Sequence, residues 1–145
     1  CSIGRRVMAT TLSVVYRDQI ATILMRLWDS RIPESSNFCA FSWSRGYVQC
    51  LADHDKTEMW CEAISARSFE GAWTDAAADG EQVLAELGFR APDSFSPNYY
   101  QFIDIASRET FWQITDTLIA VMERVFHYTG DSGLAFKCWM PGFVS

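Results

Sequence analysis

The chain has 145 residues, 49% of them hydrophobic, with six Trp, ten Phe and a formal charge of −6. That length and apolar content suit one α+β domain over residues 1–145 that buries a core without staples. The negative charge sets the long-range field against nucleic acid and anionic membranes, both of which are met by Lys- and Arg-rich surfaces.

Near the start, Arg5 and Arg6 precede an apolar-leaning run from Val7 to Val15. It has the outline of a signal peptide, but Thr10, Thr11 and Ser13 dilute it and Tyr16-Arg17-Asp18 follow at once. It reads better as the opening of an amphipathic helix. No run approaches the roughly 18 apolar residues that a membrane-spanning helix needs. Residues 1–10 are expected as a flexible or non-native extension, with Met8 as a candidate natural start. Leu12, Tyr16, Ile20, Ile23 and Leu27 then recur at helical spacing, which predicts a helix over 11–30 that ends before Pro33.

From Phe38 the period changes to two. Strands are expected near 38–43, 47–53 and 57–66, joined by a turn at Ser44-Arg45-Gly46 and a polar loop at Asp53-His54-Asp55-Lys56. Folding them as consecutive hairpins with Phe41 opposite Val48 sets Cys39 opposite Cys50, and Cys50 near Cys61. One face then carries Phe41, Trp43, Val48, Cys50, Ala52, Met59, Cys61 and Ala63, all apolar or thiol, and should take the helices. The other carries Phe38, Tyr47, Gln49, Leu51, Glu58, Trp60, Glu62 and Ile64.

Beyond an irregular stretch at 65–80, a short helix is expected over 82–87, with Gly88 left-handed after it and Phe89 reaching back to Leu84. Residues 89–104 hold Pro92, Pro97 and five aromatics, with a strand at 99–103. Ser107 can cap a last long helix running to Gly130. A final strand at 134–140 would put Leu134, Phe136, Cys138 and Met140 on one face.

The residue types that carry chemistry are sparse. His127 is expected in the last turn of the closing helix, where the helix dipole favours an imidazolium. His54, between Asp53 and Asp55, reads as a solvated loop. The five cysteines, Cys1, Cys39, Cys50, Cys61 and Cys138, are odd in number and form no Cys-x-x-Cys pair, so they are expected as reduced thiols of a cytoplasmic protein. Cys39, Cys50 and Cys61 share a face, yet thiols at apolar strand positions behave as small hydrophobes, and no metal is expected. No Gly-x-Ser-x-Gly and no glycine-rich phosphate loop is present. Neither a catalytic residue nor a cofactor is expected.

The outer sheet face differs in kind. Tyr47, Leu51, Trp60 and Ile64, bordered by Glu62, form an apolar patch that either the segment 95–103 or a second molecule must cover. These five are the candidate partner-binding residues. The alternative is a small hydrophobic ligand held between sheet and helices by Trp43, Met59, Phe111 and Trp112.

The order of parts resembles the small α+β fold of type III secretion chaperones, and more specifically the TY-Chap domains, related to YbjN proteins and found widely in actinobacteria. Phe41-Ser42-Trp43, Tyr47-Val48-Gln49-Cys50, Leu84 to Phe89 followed by Pro92, Pro97-Asn98-Tyr99 and Val125-Phe126-His127-Tyr128 carry the resemblance. It implies a small acidic domain, often a homodimer, that binds a segment of a client protein and catalyses no reaction. The aromatic segment 89–104 and the C-terminal strand depart from that pattern.

Overall fold

The computed structural model describes residues 11–33, 37–131 and 133–140. Cys1, Arg5, Arg6 and Met8 lie outside the described residues. The fold is α+β, with five antiparallel strands and three α-helices among the described residues. The strands are β1 (Asn37–Trp43), β2 (Gly46–Ala52), β3 (Glu58–Ala63), β4 (Tyr99–Asp104) and β5 (Ala135–Trp139), and the helices are α1 (Arg17–Asp29), α2 (Gly80–Glu86) and α3 (Arg108–Ala120). Strand order across the sheet is β4-β3-β2-β1-β5. The meander read from the sequence is thus the middle of a wider sheet.

The register follows from parity. A two-residue turn, Ser44-Arg45, closes on the pair Trp43 and Gly46. Counting back from it sets Phe41 opposite Val48 and Cys39 opposite Cys50, and β3 continues with Cys61 opposite Cys50. Phe41, Val48, Cys50, Ala52, Met59, Cys61 and Ala63 are all buried on the face that takes the helices, as the alternation predicts. β4 joins through Met59 opposite Ile103, and β5 through Phe41 opposite Phe136.

Two helices lie antiparallel over that face. A π-helical turn, Leu12–Tyr16, leads into α1, whose Ile20, Leu24 and Leu27 enter one core with Phe111, Ile114 and Leu118 of α3. Burying side chains of this size contributes about 1.5–3 kcal/mol each. At the solvent edge Arg17 grips Asp116 with two hydrogen bonds, 2.7 and 3.1 Å, and Arg108 grips Asp29 with two more, 3.1 and 2.9 Å. These exposed pairs orient the helices more than they stabilise them.

The helix ends obey local chemistry. Ser107 and Thr110 form a capping box at the start of α3. After α2 the chain turns at Gly88, φ +98°, and the Phe89 N–H donates to the Leu84 carbonyl at 2.9 Å, the stop expected from the sequence. The closing helix is shorter than expected. α3 gives way to a π-helical turn, Val121–Val125, and His127 lies beyond it in the left-handed region at φ +56° instead of in the last helical turn. The left-handed His127 turns the chain back so that the Tyr128 N–H reaches the Met122 carbonyl at 2.9 Å.

One cysteine expectation is overturned: Cys39 and Cys138, read as reduced thiols, are joined as a disulfide between β1 and β5. The sequence did not show that β5 would lie beside β1, which places the two cysteines directly opposite one another. Cys50 and Cys61 are free and buried, as expected.

Candidate binding face of the sheet

The outer face is built from the residues the pleat turns away from the helices. Trp139 of β5 stands opposite Phe38 of β1, Phe38 opposite Leu51 of β2, Leu51 opposite Trp60 of β3, and Trp60 opposite Phe102 of β4. The result is an unbroken apolar row across all five strands. Such rows belong on buried faces; here Trp139 is 64% exposed.

At the β4 end the row thickens into a cluster. The Trp60 ring packs with Phe102 edge-on at 5.0 Å, with Tyr100 at 5.7 Å and with Phe95 stacked at 5.0 Å. Phe95 reaches Trp60 from the preceding loop, which Asp93 folds into a tight turn. The Asp93 carboxylate accepts the backbone N–H groups of Phe95 (2.8 Å) and Ser96 (3.2 Å) and the Tyr100 hydroxyl (2.7 Å). The Tyr100 hydrogen bond, then the Phe95 N–H, hold the Asp93 pKa below the usual aspartate value, and the same Tyr100–Asp93 bond raises the tyrosine. Phe95 is nonetheless 59% exposed. It lies over Trp60 as a thin cover.

Beside the cluster runs a groove of about 440 Å³ lined by Leu51, Trp60, Phe95 and Phe102, with Asp53, Lys56 and Glu58 at its mouth. The mouth is pinned from the helix side. Arg31, its guanidinium 3.5 Å above the Trp28 ring, donates to the carbonyls of Asp53 (3.0 Å) and Lys56 (2.7 Å). Within the cluster Trp60 Nε1 is buried without an acceptor, an arrangement that costs about 1–3 kcal/mol.

The residues singled out from the sequence fall into three groups. Leu51 and Trp60 belong to the row and line the groove. Tyr47 and Glu62 share the face but are engaged: Asn98 Nδ2 donates to the Tyr47 hydroxyl (3.1 Å) and to Glu62 Oε1 (2.9 Å), which also accepts from Gln49 Nε2 (3.0 Å). Ile64 is 3% exposed and packs in the core, because β3 ends at Ala63 and the alternation that would have turned it outward stops there.

The four residues of the alternative pocket do not converge. Trp43 stacks on Tyr128 (5.2 Å, 12°) at the turn end of the sheet, whereas Met59 lies beside the far end of β2, about 20 Å away at strand rise. Phe111 is buried under Trp28, and Trp112 lies beneath the Arg17 guanidinium at 4.8 Å.

Phe95, Phe102, Trp139 and Asp93 were not identified from the sequence as site residues. The signal for Phe95 and Phe102 was the density of aromatics between Pro92 and Asp104; Trp139 had none, since its place depends on β5 reaching β1. Among the described residues no group of three or more His, Cys, Asp or Glu could hold a metal ion, and no helix is long and apolar enough to cross a membrane.

No protein-family model, curated protein or solved structure matches the chain.

Proposed function

We propose that the protein is a non-catalytic binding module, chaperone-like in its mode of action, whose outer sheet face takes an extended apolar segment of a client protein. The observation that carries this reading is the Trp139-Phe38-Leu51-Trp60-Phe102 row on the outer sheet face, exposed at Trp139 and Phe102 and half-buried between them. Aromatic anchors flanked by a few charged groups are what protein interfaces concentrate. A peptide carbonyl entering beneath Phe95 would meet the unpartnered Trp60 Nε1. The same row favours self-association when no client is bound, which agrees with the homodimer implied by the TY-Chap resemblance. A compact apolar ligand is the second reading, favoured by the groove of about 440 Å³, a volume typical of small-molecule sites.

We place the protein in the cytoplasm, in agreement with the two buried free thiols, Cys50 and Cys61. A disulfide in that compartment is a transient, redox-responsive bond more often than a permanent staple, and the Cys39–Cys138 bond is read in that way.

The test is an array of overlapping peptides probed with the wild type and with a Trp139→Asp/Phe102→Asp variant shown by circular dichroism to fold. The expected result is that peptides alternating apolar and polar residues bind the wild type and lose at least tenfold in affinity to the variant. Equal binding by the two proteins would place the site elsewhere.

A further inference from the structure

The inner face carries a second cross-strand row, made of sulfur. Cys138 of β5 stands opposite Cys39 of β1, Cys39 opposite Cys50 of β2, and Cys50 opposite Cys61 of β3. The outer pair, Cys138 and Cys39, is closed as a disulfide. The inner pair is open, fully buried, with the Cys50 thiol donating to Cys61 Sγ at 3.5 Å.

Ladder geometry makes the two pairs equivalent. Pairs alternate along an antiparallel ladder between hydrogen-bonded and non-hydrogen-bonded, and the pair closing a two-residue turn is of the first kind. Trp43 and Gly46 close the turn, so Cys39 and Cys50, four residues further along each strand, are also a hydrogen-bonded pair. A strand residue directs its N–H and C=O to one side. On their other sides, Cys39 with Cys138 and Cys50 with Cys61 are therefore both non-hydrogen-bonded pairs, the class that brings side chains closer. A disulfide that forms at one can form at the other.

The order of the strands suits sulfur exchange, in which the attacking thiolate and the leaving sulfur lie on opposite sides of the sulfur attacked. Cys50 stands on the strand beyond Cys39 from Cys138, and Cys61 on the strand beyond Cys50 from Cys39.

We propose that the four cysteines form a thiol–disulfide relay in which the Cys39–Cys138 bond at the sheet edge passes its oxidation inward, and Cys50 and Cys61 close as a second cross-strand disulfide. In the first step Cys50 Sγ, as thiolate, bonds to Cys39 Sγ; the Cys39–Cys138 bond breaks and Cys138 takes up the proton that Cys50 gave. In the second, Cys61 Sγ, as thiolate, bonds to Cys50 Sγ; the Cys39–Cys50 bond breaks and Cys39 takes up the proton that Cys61 gave. Cys50 and Cys61 together lose two electrons, and Cys39 and Cys138 gain them. The outer pair is reoxidised by a small disulfide, RSSR, which leaves as two RSH. Cys138 is the point of access: it lies on an edge strand of the described sheet and is 9% exposed, whereas Cys39, Cys50 and Cys61 are at 0%. Burial, then the hydrogen bond with Cys61, pushes the Cys50 thiol well up, which keeps its thiolate scarce and the exchange slow.

The test uses the full chain in a Cys1→Ser background. Protein carrying only the Cys39–Cys138 bond is freed of oxidant and incubated. At intervals it is quenched in acid, its free thiols are mass-tagged, and the linked peptides are mapped. The expected result is growth of a Cys50–Cys61 linkage matched by equal new free thiol at Cys39 and Cys138, abolished by Cys50→Ser. With oxidised glutathione added to fully reduced protein, the Cys50–Cys61 link should form at least tenfold more slowly in Cys138→Ser than in the parent. A Cys50–Cys61 pair that stays free throughout would overturn the relay, and so would closure at the same rate without Cys138. Should Cys138→Ser fail to fold, the oxidant-free incubation decides alone.

Discussion

Phe95 stacks on Trp60 with ring centroids 5.0 Å apart and planes 24° from parallel, delivered by a turn in which the Asp93 carboxylate accepts three hydrogen bonds and the Asp93 N–H donates to the Ser96 carbonyl at 2.9 Å. A thin aromatic cover on a short acid-pinned turn can lift without disturbing the sheet below. That relationship ties the outer row to a controllable element and sets the first two expectations.

Acid should release the cover. The folded-state pKa of Asp93 is depressed, so its contribution to the turn is complete above the ordinary aspartate value and is lost as pH falls through the lower folded value. The upfield-shifted ring signals of Phe95, measured by NMR, should therefore persist to below about pH 3.9, the ordinary aspartate value, and then move toward random-coil positions. Asp93→Asn should show partly released signals already at neutral pH. A cover unchanged down to pH 2 would mean that Asp93 does not hold it.

The two tryptophans of the row should respond differently to the same substitution. Trp60→Asp puts a charge inside the aromatic cluster and should lower unfolding free energy by about 3 kcal/mol, as large-to-polar lesions in packed sites do. Trp139→Asp, at a residue 64% exposed, should cost under about 0.5 kcal/mol. Urea unfolding of both variants checks the contrast.

Backbone conformation supplies a pair of opposite effects. Gly88, at φ +98°, faces Gln101, and an added Cβ would approach Gln101 Oε1 to 2.7 Å. Gln101 also donates to the Leu87 carbonyl at 3.0 Å, so Gly88→Ala should destabilise by about 1–2 kcal/mol. His127 holds a left-handed φ of +56°, a conformation that glycine adopts without a Cβ penalty. His127→Gly should be neutral to stabilising, by up to about 1 kcal/mol. Thermal melts of the two variants should move in opposite directions from the parent.

The middle of the sheet was legible because short connections fix parity. With the turn read around Ser44-Arg45-Gly46 and Phe41 set opposite Val48, alternation aligned Cys39, Cys50 and Cys61, and the two-residue turn Ser44-Arg45 fixes that register. The edges were not legible. Cys39 and Cys138 are separated by 99 positions, and nothing local says which strand a distant segment will join, so the fourth cysteine and Trp139 could not be placed in their rows. Ile64 was misplaced by extending alternation one residue past the end of β3. The segment 95–103 was one of two covers the sequence allowed, the other being a second molecule, and the Asp93 turn that aims Phe95 depends on Tyr100 of the next strand reaching back to it.

Cross-linking from the row itself tests the central claim most directly. A photoreactive phenylalanine analogue replaces Phe102, Trp139 or, as a control on the exposed side of α3, Gln113, and each protein is irradiated with the tightest-binding peptide from the array. The account predicts strong peptide adducts from positions 102 and 139 and only background from 113. Equal adducts from all three positions, or adducts from 113 alone, would contradict the assignment of the outer sheet face as the binding surface.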